Sequence, residues 1–113
     1  MNLAELVERL DLKVHSGRDE LDRAVSGGYT GDLLSDVIAN GQKGRVWITI
    51  QVHPNVVAVA VLKELAAIVI ANGREPAVET VDRARKEHVP ILGTTLTAFE
   101  IAGRLHGLRV RGD

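Results

Sequence analysis

Three short apolar runs lie between Arg45 and Thr95, and their spacing leaves few folds open. The runs are Val46-Trp47-Ile48-Thr49-Ile50, Ala67-Ile68-Val69-Ile70 and Pro90-Ile91-Leu92. Each is bounded by polar or Gly/Pro residues and has the length of a strand buried on both faces. The intervening stretches, residues 51–66 and 71–89, are long enough for a helical return that starts a parallel neighbour. The reading is a single α/β domain, residues 1–113, with a βαβαβ core, a mainly parallel central sheet and short strands before it.

Composition narrows the function classes. With 45% hydrophobic and 26% charged residues the chain reads as an ordinary soluble globular protein. No apolar run approaches the length of a spanning helix, and no signal-peptide pattern opens the sequence, so no membrane role is expected. Cysteine is absent, which excludes disulfides, thiolate metal sites and a cysteine nucleophile and makes the cytoplasm the expected location. The formal net charge of -1 and the absence of a basic block argue against nucleic acid as a partner.

Around the core, Asn2 is placed to cap an amphipathic helix that carries Leu3, Leu6, Val7 and Leu10 on one face. Lys13-Val14-His15 reads as a short strand, and Leu21 to Val25 as a second extended piece. Gly27-Gly28-Tyr29-Thr30-Gly31 suggests a sharp bend or a close backbone approach. Asp32 then suits the N-cap of a short helix through Leu33, Leu34, Val37 and Ile38, ended by Asn40-Gly41.

Residues 55–65 alternate enough to be a strand, yet parallel neighbours need a crossover, and Pro54 suits a helix start. A helix so apolar all round must hide part of its surface under another layer or a second subunit, so a homodimer is expected. Pro76 at the first helical position begins the next helix, with Val78, Val81 and Ala84 turned inward. Thr97 and Glu100 form a capping box for the last helix, with Phe99, Ile101, Ala102 and Leu105 inward. The closing Arg111-Gly112-Asp113 matches an adhesion tripeptide, for which chance is the better explanation in an intracellular chain.

In an open parallel sheet, ligands gather beyond the carboxyl ends of the strands. The residues expected there are Gln51, His53 and Asn55 after the first run, Asn72, Gly73 and Arg74 after the second, and Gly93, Thr94 and Thr95 after the third. Helix amino ends arriving at the same edge favour an anionic or amide-rich ligand. Loops of this kind are polar in any such fold, so the convergence defines candidates rather than a site. The phosphate loop, the dinucleotide fingerprint, the HExxH metal motif and the G-x-S-x-G elbow are all missing from the sequence. The chain is therefore read as a non-enzyme, with no metal and no cofactor.

The segment Leu21-Asp22-Arg23-Ala24-Val25-Ser26-Gly27-Gly28-Tyr29, followed by Gly31-Asp32-Leu33-Leu34-Ser35-Asp36, resembles the signature of the DRTGG domain family. The similarity continues through Ile48-Thr49-Ile50-Gln51, Val57 to Leu62, Asn72-Gly73 and Ala98 to Ala102. Ala24-Val25-Ser26 stands where the family carries its Thr.

The resemblance implies a three-layer α/β/α sandwich, similar in fold to the N-terminal domain of HPr kinase/phosphorylase. It also implies an accessory domain that contributes to subunit contacts and regulation. On this view Asp22, Arg23, Gly27, Gly28 and Asp32 specify the fold, Arg23 by bridging backbone carbonyls or a carboxylate. The leading expectation is a regulatory and dimerisation module acting on a partner enzyme in trans. The alternative is a stand-alone sensor of a nucleotide or other small anion through His53, Asn72, Thr94 and Thr95.

Overall fold

The computed structural model describes residues 1–112, so Asp113 of the closing tripeptide lies outside the described residues. The elements run α1 (Leu3–Leu10), β1 (Lys13–Ser16), β2 (Gly27–Thr30), α2 (Leu34–Asn40), β3 (Arg45–Thr49), α3 (Asn55–Leu62), β4 (Ala67–Ile70), α4 (Val78–Glu87), β5 (Ile91–Gly93) and α5 (Ala98–Gly107). The strands form one sheet in the order β1-β5-β4-β3-β2, parallel except for β1, which pairs antiparallel with β5.

Period-two alternation builds both cores from the same strands. Val46, Ile48, Ala67, Val69 and Leu92 face α1 and α5, where Leu3, Leu6, Ile101 and Leu105 meet them. Trp47, Ile68, Ile70 and Ile91 face the opposite way, onto Val37, Val56, Val57, Ala60 and Ala84 of α2, α3 and α4. The result is the α/β/α sandwich, and the βαβαβ core is β3-α3-β4-α4-β5. Residues 55–62 are helical, with Val56, Val57, Val59 and Ala60 buried. The neighbouring helices α2 and α4 cover most of that apolar surface, and what remains open is Leu62, 64% exposed, and Val61, 43% exposed.

Several local expectations are corrected. Leu21 to Val25 is not a strand: Leu21 and Arg23 offer their carbonyls to the amide groups of Ala4 and Leu3, which have no partner inside the first turn of α1. The strand is instead Gly27–Thr30, so the glycine pair is extended and not a bend. Close approach is what Gly27 provides, since a Cβ there would stand 2.6 Å from the Arg111 carbonyl oxygen.

Asp32 does not cap α2, whose N-cap is Leu33. Its carboxylate accepts instead from Thr49 Oγ1 at 2.8 Å and the Ile50 amide at 2.9 Å, closing the end of β3. Pro76 lies ahead of α4, which starts at Val78, and the amide of the N-cap residue Ala77 donates to the Val52 carbonyl.

Val78 and Phe99 face solvent, 73% and 86% exposed, and Thr80 takes the inward position with its hydroxyl donating to Val52 O. Only half of the capping box expected at Thr97 and Glu100 forms. Thr97 Oγ1 accepts from the Glu100 amide, while the Glu100 carboxylate pairs with Arg104. The complete box is at α1, between Asn2 and Glu5.

Candidate ligand site

The parallel strands lie in chain order, β2-β3-β4-β5, with α2, α3 and α4 on one face. The order never reverses among them, so the switch-point crevice of doubly wound sheets does not arise. The strand-end residues consequently fall into two groups instead of one.

At the end of β3, Gln51 is tied to its neighbours: its backbone amide donates to Thr49 Oγ1, and its side-chain Nε2 donates to Asp32 O. His53 and Asn55 beside it are exposed at the start of α3. None of the three borders the cavity formed by the other strand ends.

That cavity, about 370 Å³, lies where the loops leading into α4 and α5 meet the start of β1. Gly73, Thr94 and Thr95 line it together with Lys13, His15, Arg74, Glu75 and Arg104. Two backbone bonds zip its loops: the Asn72 amide donates to Leu96 O and the Gly73 amide to Thr94 O, both at 2.8 Å. Asn72 and Gly73 are consecutive left-handed residues, with φ of 63° and 66°. Asparagine and glycine are the residues that accept this conformation most readily. Asn72 is exposed and stands outside the cavity wall.

Lys13 and His15 reach this edge because β1 runs antiparallel, which sets Lys13 opposite Gly93. The sequence held a faint signal for this. A glycine ending an apolar strand often marks a close approach, and a Cβ on Gly93 would stand 2.7 Å from His15 Nε2. Lys13 Nζ lies 3.4 Å from Glu75 Oε1 and His15 Nδ1 lies 3.8 Å from Glu75 Oε2. Burial holds the His15 imidazole below the ordinary histidine range, the Glu75 carboxylate acts against that shift, and Lys13 adds to it. His15 is therefore neutral at physiological pH.

A larger cavity of about 450 Å³ sits at the other end of the sheet, between Arg23, Lys43, Val61, Glu64, Leu65 and His88. Arg23 is already engaged there: Nη2 donates to His88 O at 2.6 Å and Nη1 to Ala66 O at 3.5 Å. The carboxyl ends of α3 and α4 also face this cavity, and their partial negative charge disfavours an anion. Asp22 is exposed, and Gly28 donates its amide to Arg111 O at 2.8 Å along the outer edge of β2. Of the fold-signature residues, Arg23 borders this cavity and Gly28 borders a smaller groove beneath α5.

No group of three or more His, Cys, Asp or Glu side chains able to hold a metal occurs among the described residues. No described helix is long and apolar enough to cross a membrane.

No protein-family profile matches the chain, and no curated protein does. Among solved structures it is similar to the CBS and DRTGG domains of the regulatory region of Clostridium perfringens pyrophosphatase, complexed with its activator diadenosine tetraphosphate. The TM-score is 0.75 at 15% sequence identity, over 98% of this chain and 48% of that one. The chain thus spans about half the length of the pyrophosphatase regulatory region, and at this identity the likeness is one of fold. The architecture anticipated from Asp22-Arg23 and Gly27-Gly28 is present: the chain has a DRTGG-like fold.

Proposed function

We propose that the protein is a non-catalytic regulatory module of the cytoplasm. It binds a nucleotide or another phosphate-bearing anion at the strand-end cavity and passes that occupancy to a partner enzyme. The observation that carries this reading is the convergence of Lys13, Arg74 and Arg104 with the Thr94 and Thr95 hydroxyls on one cavity. The regulatory character of the pyrophosphatase region with a similar fold supports it. A module that binds the anion without a partner enzyme is the second reading, and affinity capture on an immobilised chain separates the two.

The test is thermal denaturation with diadenosine tetraphosphate, ATP, AMP and pyrophosphate, repeated on Arg74→Ala. A ligand at a hundred times its Kd adds about 2.7 kcal/mol of stability. The expected result is a clear rise in Tm with at least one of these compounds, lost in the variant. No shift with any of them overturns the reading.

A second copy of the chain is the proposed occupant of the outer end of α3. Leu62 and Val61 are open there, beside a groove of about 250 Å³ that Arg83 and Glu87 of α4 also border. These two charges have no ion-pair partner among the described residues. A two-fold axis between antiparallel copies of α4 sets each arginine against the other copy's glutamate. Sedimentation should show a dimer that Leu62→Glu converts to monomer; a wild-type monomer at micromolar concentration contradicts this.

A further inference from the structure

We propose that His15 is a ligand-reading residue of the strand-end cavity, and that the Glu75 carboxylate, seated between Lys13 and His15, holds the place of the ligand's anionic group. The inference rests on the reading of that cavity as an anion site and names the device inside it that responds to the ligand.

Two observations carry it. The His15 side chain is only 8% exposed, yet its ring makes no hydrogen bond among the described residues, the nearest carboxylate oxygen being 3.8 Å from Nδ1. Among the described residues no wholly buried side-chain nitrogen or oxygen goes unpaired, so the ring nitrogens open to accessible space, and His15 borders the cavity. An imidazole largely covered by protein, with no hydrogen-bond partner and its nitrogens open at the wall of a polar cavity, is placed to meet a partner that enters.

The second observation is Glu75. Its side chain is 66% exposed, and it reaches back over the cavity to Lys13 and His15 from the loop that follows the left-handed Asn72 and Gly73. An exposed ion pair of this kind is weak, so an oxyanion entering between Lys13 and His15 displaces it. The carboxylate marks where negative charge is accommodated and competes with the ligand for that place.

Protonation follows from the same geometry. Facing His15 are Lys13 on its own strand, Asp11 before it, Arg74 and Glu75 from the loop before α4, and Arg104 from α5. On its other side stand Arg18, Asp19 and Glu20, with Arg85 of α4 and His88 just after it. In the free protein burial disfavours the charged ring, against the pull of the Glu75 carboxylate. A multiply charged oxyanion beside it favours the imidazolium, so binding takes up a proton and tightens as pH falls toward the histidine range.

The experiment titrates the full chain and its Glu75→Gln, His15→Gln, Asp11→Asn and Arg74→Ala variants with inorganic pyrophosphate at about pH 6 and about pH 8, either side of the histidine range. Glu75→Gln, an exposed change that leaves the core alone, should tighten binding about two- to fivefold. Asp11→Asn should give no comparable gain. The ratio of wild-type to His15→Gln affinity should be larger at the lower pH, a comparison in which the titration of pyrophosphate itself cancels. By NMR the His15 ring should move toward its imidazolium shifts on titration, while His53, His88 and His106 do not.

If Arg74→Ala abolishes binding while Glu75→Gln binds no tighter than wild type and the His15 ratio is independent of pH, the inference fails and the cavity assignment stands. If pyrophosphate binds neither wild type nor Glu75→Gln, both fail.

Discussion

Adding one methyl group at Gly93 sets two effects of opposite sign against each other. Replacing glycine by alanine at a position with ordinary backbone angles removes freedom from the unfolded chain and stabilises by about 0.4–1 kcal/mol. At Gly93 the φ angle is not positive, so that gain is available. The new Cβ, however, would stand 2.7 Å from His15 Nε2 and 3.3 Å from its Cδ2. The ring is only 8% exposed, and the space it can retreat into is the cavity it borders, so yielding costs it its packing.

Overpacking of this kind costs about 1–3 kcal/mol, so the clash should win. Gly93→Ala should lose stability, with Tm falling by about 4 °C per kcal/mol for a chain of 113 residues. Urea unfolding followed by the fluorescence of the single tryptophan, Trp47, wholly buried in the core, gives the number. The double variant Gly93→Ala with His15→Ala separates the causes. If the imidazole is the obstacle, the two changes couple by about 0.5–3 kcal/mol, with alanine at 93 harmless once the ring is gone. A Gly93→Ala protein as stable as wild type, or strictly additive energies, would refute the packing of His15 across the end of β5.

Arg23→Ala should destabilise by about 1–3 kcal/mol by leaving the His88 and Ala66 carbonyls without their donor. Arg23→Lys should recover little of it, because an ammonium cannot span both; chemical denaturation measures each. Asp32→Ala should cost a similar amount, read the same way, since Thr49 Oγ1 and the Ile50 amide lose their acceptor.

Stability should also fall on acidification through the ordinary histidine range. The folded chain holds His15 below its unfolded pKa of about 6.5. The unfolded state thus binds more protons, and the contribution is complete above that value and declines as pH drops toward the lowered folded pKa. His15→Gln should flatten that part of a Tm-against-pH curve.

The layers were legible because strands buried on both faces write themselves as continuous apolar runs, and Val46 to Ile50 and Ala67 to Ile70 leave no other reading. The helix at 55–62 was legible only through topology: its composition favours a strand, and the need for a crossover overrides that. Tertiary accounting was not legible. Leu21 to Val25 looks extended, yet its carbonyls serve the first turn of α1. Asp32 looks like a helix cap, yet the end of β3 had the greater need of a carboxylate.

At the candidate site, Gly73, Thr94 and Thr95 do meet in one cavity, and Gln51, His53 and Asn55 stand apart from it. The missing half, Lys13 and His15, depends on an antiparallel pairing of β1 with β5 across the whole chain. No local pattern encodes such a pairing, and only Gly93 hints at it.

Backbone and side-chain NMR of the full chain during titration with pyrophosphate addresses the anion site most directly. The expected result is a set of shifts confined to Lys13, His15, Gly73, Arg74, Thr94 and Thr95, abolished by Arg74→Ala. Shifts clustered instead on Arg23, Lys43 and Leu65 at the opposite end of the sheet, or none at saturating concentration, would contradict it.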